Sequence, residues 1–72
     1  MDEKAFSDYL RDLMDLEEAL PMNRELSTIE EWDSLSCVAF LSFCASHAQK
    51  KVYLKDVKEA KTIRDLYNLI QE

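Results

Sequence analysis

The sequence predicts an all-α domain, and three observations lead there. The chain holds no glycine, and tight hairpins depend on glycine or asparagine at positive φ, so a sheet-rich fold would be hard to build. Its one proline is Pro21, which leaves most of the chain free of the strongest helix breaker. Apolar residues recur at three- and four-residue steps in several segments, the spacing of one helix face. Seventy-two residues make a single domain, 1–72. An apolar fraction of 47% beside 33% charged residues suits a folded globule and is too apolar for a disordered one.

The first helix is expected over residues 3–16. Phe6, Leu10 and Leu13 form its inner line, Tyr9 and Met14 widen it, and Glu17 ends it. Asp2 and Glu3 stand at its start, where carboxylates favour the unpaired N–H groups and the positive dipole end. A long connection, residues 17–32, carries Pro21 and the polar breakers Asn23, Ser27 and Thr28. Its spaced apolar residues Leu20, Met22, Leu26, Ile29 and Trp32 predict a loop packed down by its own side chains, with a helical turn near residues 27–31.

The second helix is expected to begin at Asp33 or Ser34 and to run to residues 47–50, with Asp33 as N-cap toward the N–H of Leu35 or Ser36. Phe40, Leu41, Cys44 and Ala48 share one side, and Leu35, Val38, Ser42 and Ala45 lie on another. A helix apolar over more than one stripe should turn some of that surface toward something other than the core. A polar link, residues 49–51, leads to a short third helix over residues 55–60. Thr62 and Asp65 then have the spacing of a capping box, opening a last helix with Ile63, Leu66, Tyr67 and Ile70 on one face.

The formal charge of −6 argues against nucleic-acid binding, which relies on clustered Lys and Arg. Residues 1–33 hold eleven acids and three bases, a balance of −8, and residues 34–72 hold four acids and six bases, a balance of +2. The acidic half either attracts a basic partner surface or simply keeps the chain dissolved. Cys37 and Cys44 are the only cysteines. On one continuous helix their Cα atoms would lie about 10 Å apart, beyond disulfide reach, so free thiols and a reducing, cytoplasmic setting are expected. The acidic start Met1-Asp2-Glu3 has no apolar run behind it, and the run from residue 35 to residue 45 is too short to span a bilayer.

The chemistry concentrates in Trp32-Asp33-Ser34-Leu35. A serine that opens a helix, preceded by Asp and followed by Leu, resembles the Asp-Ser-Leu motif of the acyl carrier protein family. The setting strengthens the likeness: the motif lies near mid-chain after a long loop, heads an apolar helix, and is followed by a short helix. The ending Thr62-Ile63-Arg64-Asp65-Leu66-Tyr67 is similar to the Thr-x-x-Asp-Leu tail of that family. The resemblance covers nearly the whole chain. It implies a four-helix bundle of acyl-carrier-protein type, with three longer helices and a short third one. It also implies 4′-phosphopantetheine, from coenzyme A, attached to Ser34 by a phosphopantetheinyl transferase. An acyl or aminoacyl group would ride on the arm as a thioester, supplied by a loading ligase and passed to downstream acyl-processing enzymes of a biosynthetic pathway. On this reading the chain is a monomer and not itself an enzyme.

Leu35 and Val38 match positions where carriers of this family touch their partners. Residues 35–49 contain no Asp or Glu, although the family usually places acids along this helix. Acidic recognition then falls to Glu30, Glu31 and Asp33, or the contact is mainly apolar. The glycine common after the second helix is replaced by Gln49-Lys50-Lys51.

Other chemistry is weaker. Cys44 and His47 are three residues apart, but no third orienting group accompanies them, and with Cys37 they make too few ligands for zinc on one rigid helix. A Gly-rich phosphate loop is impossible without glycine, and Ser34 lacks the Gly-x-Ser-x-Gly elbow. Lys50, Lys51, Lys55, Lys58 and Lys61 read as a solvated basic face. The alternative function is a small helical interaction module that docks through its apolar second helix.

Overall fold

A computed structural model describes residues 1–48 and 51–71. The order along the chain is α1 (Glu3–Leu13), a 3₁₀ turn (Leu26–Thr28), α2 (Ser34–His47), α3 (Leu54–Glu59) and α4 (Ile63–Leu69), with no strand among the described residues. The all-α bundle of four helices expected from the sequence is what forms. The third helix is the shortest, but α4 is only one residue longer, seven against six.

Each helix start is held by a short polar side chain. The Asp2 carboxylate accepts from Ala5 N–H at 2.8 Å, and Asp33 accepts from Ser36 N–H at 3.0 Å. Asp56 accepts from Tyr53 N–H at 3.0 Å at the start of α3. The capping box at α4 forms as expected: Asp65 N–H donates to Thr62 Oγ1 and Thr62 N–H donates to Asp65 Oδ2, both at 3.2 Å.

Helix α1 ends at Leu13, three residues earlier than its apolar pattern predicts. The cause is Asp15, whose φ of 55° puts it in the left-handed region. Leu16 N–H then donates to Arg11 O at 2.9 Å and Asp15 N–H to Asp12 O at 3.1 Å, the paired bonds of a Schellman ending. Glycine normally fills that position; in a chain without glycine an aspartate serves instead.

The connection from α1 to α2 packs as expected. Leu20, Leu26 and Ile29 are buried, and Met22 and Trp32 are half-buried against the core. The helical turn sits at Leu26–Thr28, one residue earlier than expected and shorter. The loop is also stitched to α4: Ile63 N–H donates to Arg24 O at 3.1 Å, Arg64 N–H to Met22 O at 2.8 Å, and Leu26 N–H to Lys61 O at 2.8 Å. With Thr62 capping Asp65 N–H, the first-turn donors of α4 all find acceptors.

The core is one cluster. Phe6 and Leu10 of α1, Phe40 and Cys44 of α2, Val57 of α3, and Ile63 and Leu66 of α4 are essentially without solvent contact. Phe6 meets Phe40 edge-on at 5.9 Å and Tyr67 at 5.2 Å between ring centres. The Tyr67 hydroxyl donates to Met1 O at 2.9 Å, tying the chain start to the last helix. No helix among the described residues is long and apolar enough to cross a membrane.

Candidate functional site

The site is the junction between the long loop and α2. A turn precedes it: Trp32 N–H donates to Ile29 O at 3.1 Å, and Asp33 N–H to Glu31 O at 3.0 Å. Asp33 is extended, with φ −114° and ψ −171°, and its main-chain oxygen accepts the first helical bond, from Cys37 N–H at 3.0 Å. Ser34 is the first helical residue and is exposed. Among the described residues its hydroxyl has no hydrogen-bond partner.

Asp33 keeps its carboxyl below the usual carboxylate range. The Ser36 N–H is the main cause, opposed by a smaller desolvation effect and aided by the Leu35 N–H. The Ser36 N–H of the first turn is therefore engaged by Asp33.

Every site residue taken from the sequence falls at this junction. Glu30, Glu31 and Asp33 are exposed on the turn ahead of α2. Leu35 is 80% exposed and Val38 53% exposed, both large apolar side chains on the outer face of α2. They give the helix an uncovered apolar surface beside the acidic turn.

Ser36 is the member that sequence reasoning missed. It is buried, the one buried polar residue among those described, and its hydroxyl donates to Glu31 O at 2.8 Å. The available signal was its register: Ser36 precedes Phe40 by one helical turn, on the inward stripe. Trp32, half-buried, lies edge-on to Phe40 at 6.1 Å and anchors the turn to the core. The turn, the cap and the core ring are thus joined in a single rigid corner from which Ser34 projects.

The remaining candidates do not converge on chemistry. Cys37 and Cys44 are free and buried. Burial raises the Cys37 thiol, and it pushes Cys44 up to about 11. His47 stacks on Phe43 at 4.2 Å, with Nδ1 3.1 Å from Phe43 O. Among the described residues no group of three or more His, Cys, Asp or Glu could hold a metal ion. Lys55, Lys58 and Lys61 are exposed, Lys51 lies over the Tyr53 ring at 5.4 Å, and Lys50 is outside the described residues.

Comparison of the chain with protein-family models, with curated proteins and with solved structures returns no match.

Proposed function

We propose that this chain is a carrier that takes a 4′-phosphopantetheine arm on Ser34 and presents an acyl or aminoacyl thioester to the enzymes of a biosynthetic pathway. One observation carries the reading: Ser34 combines exposure, a hydroxyl without a hydrogen-bond partner among the described residues, and a fixed place at the first residue of α2. The Asp-Ser-Leu resemblance supplies the identity of the arm. The geometry supplies access for a modifying enzyme.

The step asked of the chain is simple. The Ser34 oxygen bonds to the phosphorus that bears the pantetheine half of coenzyme A. The phosphoanhydride bond breaks, adenosine bisphosphate leaves with the electron pair, and the hydroxyl proton passes to a base of the transferase. Coenzyme A and Mg²⁺ belong to that transferase. The attached arm supplies a terminal thiol that holds the cargo as a thioester.

The residues around Ser34 serve position and recognition. Asp33 and Ser36 hold the helix start in place, so the arm departs from a rigid point. Glu30, Glu31 and Asp33 offer negative charge, and Leu35 and Val38 offer apolar contact to a transferase, a loading ligase or a downstream acyl-processing enzyme. The chain performs no turnover of its own and works as a monomer in the cytoplasm.

The test is intact-mass analysis after incubation with coenzyme A, Mg²⁺ and a broad-specificity phosphopantetheinyl transferase. The expected result is a gain of one phosphopantetheinyl group in the wild type and none in Ser34→Ala. No gain with several transferases, each active on another carrier, overturns the proposal. It would leave docking through the exposed Leu35 and Val38 face as the function of α2.

A further inference from the structure

We infer that the cargo of this carrier rides outside the bundle, so that the acyl class it takes is short or polar rather than a long alkyl chain; the inference rests on the carrier reading of Ser34. A carrier that shelters an alkyl chain needs an apolar void that opens toward its attachment point, because close-packed interiors admit nothing larger than what they already hold.

In this bundle the interior behind Ser34 is filled by aromatic rings. Trp32, two residues before Ser34, lies edge-on to Phe40 at 6.1 Å, and Phe40 meets Phe6 at 5.9 Å, which in turn meets Tyr67 at 5.2 Å. Phe40 and Phe6 have no solvent exposure. This line of rings runs from the attachment corner through α2 and α1 to α4. Trp32, half-buried, occupies its outer end. Phe43 closes the flank by stacking on Tyr9 at 4.0 Å. Admitting an alkyl chain would mean displacing several packed rings at once, an overpacking that close-packed cores resist.

Three surface clefts among the described residues lie away from α2. One cleft, about 430 Å³, lies between α1 and the loop near Pro21, with Leu20, Pro21 and Met22 on one side and Glu3, Lys4, Asp8 and Arg11 on the other. A second, about 220 Å³, is rimmed by Glu17, Glu18, Arg24 and Glu31. A third, about 340 Å³, lies between the 3₁₀ turn and Ala60 and Lys61. No residue of α2 lines any of the three, so none of them opens at Ser34. A long chain on the arm would keep its apolar surface in water, where it would stick to other surfaces. A short acyl, hydroxyacyl or aminoacyl group carries no such cost.

The experiment uses the full chain. Acetyl-, 3-hydroxybutyryl-, glycyl-, octanoyl- and decanoyl-phosphopantetheine are transferred to Ser34 from the corresponding coenzyme A thioesters. Hydroxylamine cleavage and the melting midpoint are then measured for each. Cargo held in solvent predicts, for the two longest chains and the acetyl form, cleavage rates within about twofold and no rise in melting midpoint with chain length, since a ligand stabilises only the state that binds it. Protection or a melting midpoint that grows from acetyl to decanoyl beyond those limits overturns the inference and leaves the carrier reading intact. Absence of any mass gain on Ser34 with every thioester, under transferases active on another carrier, removes the carrier reading and this inference with it.

Discussion

Ser36 and Asp33 are bound to each other across the start of α2: the Ser36 N–H donates to the Asp33 carboxylate at 3.0 Å, while the Ser36 hydroxyl reaches back to Glu31 O at 2.8 Å. The pair closes a small ring of bonds around the turn that carries Ser34. Two serines, two positions apart, thereby have opposite roles. Ser34 faces solvent and Ser36 faces the core.

That contrast is the first prediction. Ser34→Ala should change stability by less than about 1 kcal/mol, because the removed hydroxyl is exposed and makes no bond among the described residues. Ser36→Ala should cost about 1 kcal/mol, the net worth of a hydrogen bond from a buried hydroxyl. Urea unfolding of both variants checks this, and mass analysis after transferase treatment checks the complement. Ser34→Ala should lose the modification and Ser36→Ala should keep it. A Ser34→Ala variant less stable than Ser36→Ala would reverse the assignment of the two side chains.

Asp33 gives a prediction in pH. Its carboxyl is held below the ordinary range in the folded chain, chiefly by the Ser36 N–H. The unfolded chain therefore binds a proton at Asp33 more readily than the folded one. Its contribution is complete above the unfolded carboxylate value near 4 and is lost as pH falls through the lower folded value. Urea midpoints measured from pH 7 down to about 3 should fall less steeply in Asp33→Asn than in the wild type, since asparagine caps without titrating. Parallel acid curves would show that the cap carries no charge effect.

The junction and the ends of the bundle differ in how far they could be read from sequence. Asp33 and the Thr62–Asp65 box act through bonds three residues away, so residue type and spacing suffice to find them. The inward positions Phe6, Leu10, Phe40 and Cys44 follow from periodicity for the same reason. The early end of α1 was hidden, because its signal is the φ of Asp15, and aspartate is not the residue that normally marks a left-handed stop. The stitching of residues 22–26 to residues 61–64 was hidden because main-chain bonds between distant segments leave no trace in side-chain pattern. Ser36 was hidden because a serine on an inward stripe looks like a weak helix residue until its acceptor, Glu31 O, is known.

The unusual stop of α1 supplies another prediction. A non-glycine residue in the left-handed region is disfavoured by roughly 1–2 kcal/mol, partly offset for Asp by its short polar side chain. Asp15→Gly should raise stability by up to about 1 kcal/mol, less whatever entropy glycine adds to the unfolded chain. Asp15→Val should lower it, since a branched Cβ tolerates that conformation worst. Thermal melts of the two variants beside the wild type read both signs, and a stabilising valine would contradict the Schellman ending.

Phe40 tests the core that supports the site. It is fully buried and touches the rings of Phe6 and Trp32. Phe40→Ala should cost about 3–5 kcal/mol, against a total stability on the order of 5 kcal/mol for a domain this small. A sharply lowered melting midpoint, with part of the population unfolded already at room temperature, is the expected result, seen as loss of helical circular dichroism. Phe40→Leu, which keeps most of the volume, should stay folded with a lowered melting midpoint. A Phe40→Ala variant as stable as wild type would mean that the ring chain from Trp32 to Tyr67 does not hold the bundle together.

Cys44 links burial to alkaline behaviour. Its side chain is 2% exposed, and burial pushes its thiol up to about 11. An unfolded cysteine titrates near 8.5, so above that value the unfolded chain sheds a proton that the folded chain keeps. The resulting stability is complete below about pH 8.5 and declines as pH rises toward the folded value. Two measurements follow from the same cause. At pH 8 an aromatic disulfide reagent should label Cys44 slowly in the native protein and promptly in urea, because the reactive thiolate is scarce and shielded until the helix opens. Between pH 8 and 10 the wild type should lose more of its urea midpoint than Cys44→Ala does, even though the variant starts lower. Prompt native labelling of Cys44, or an equal alkaline loss in both proteins, would place that thiol at the surface rather than among Phe40 and Leu10.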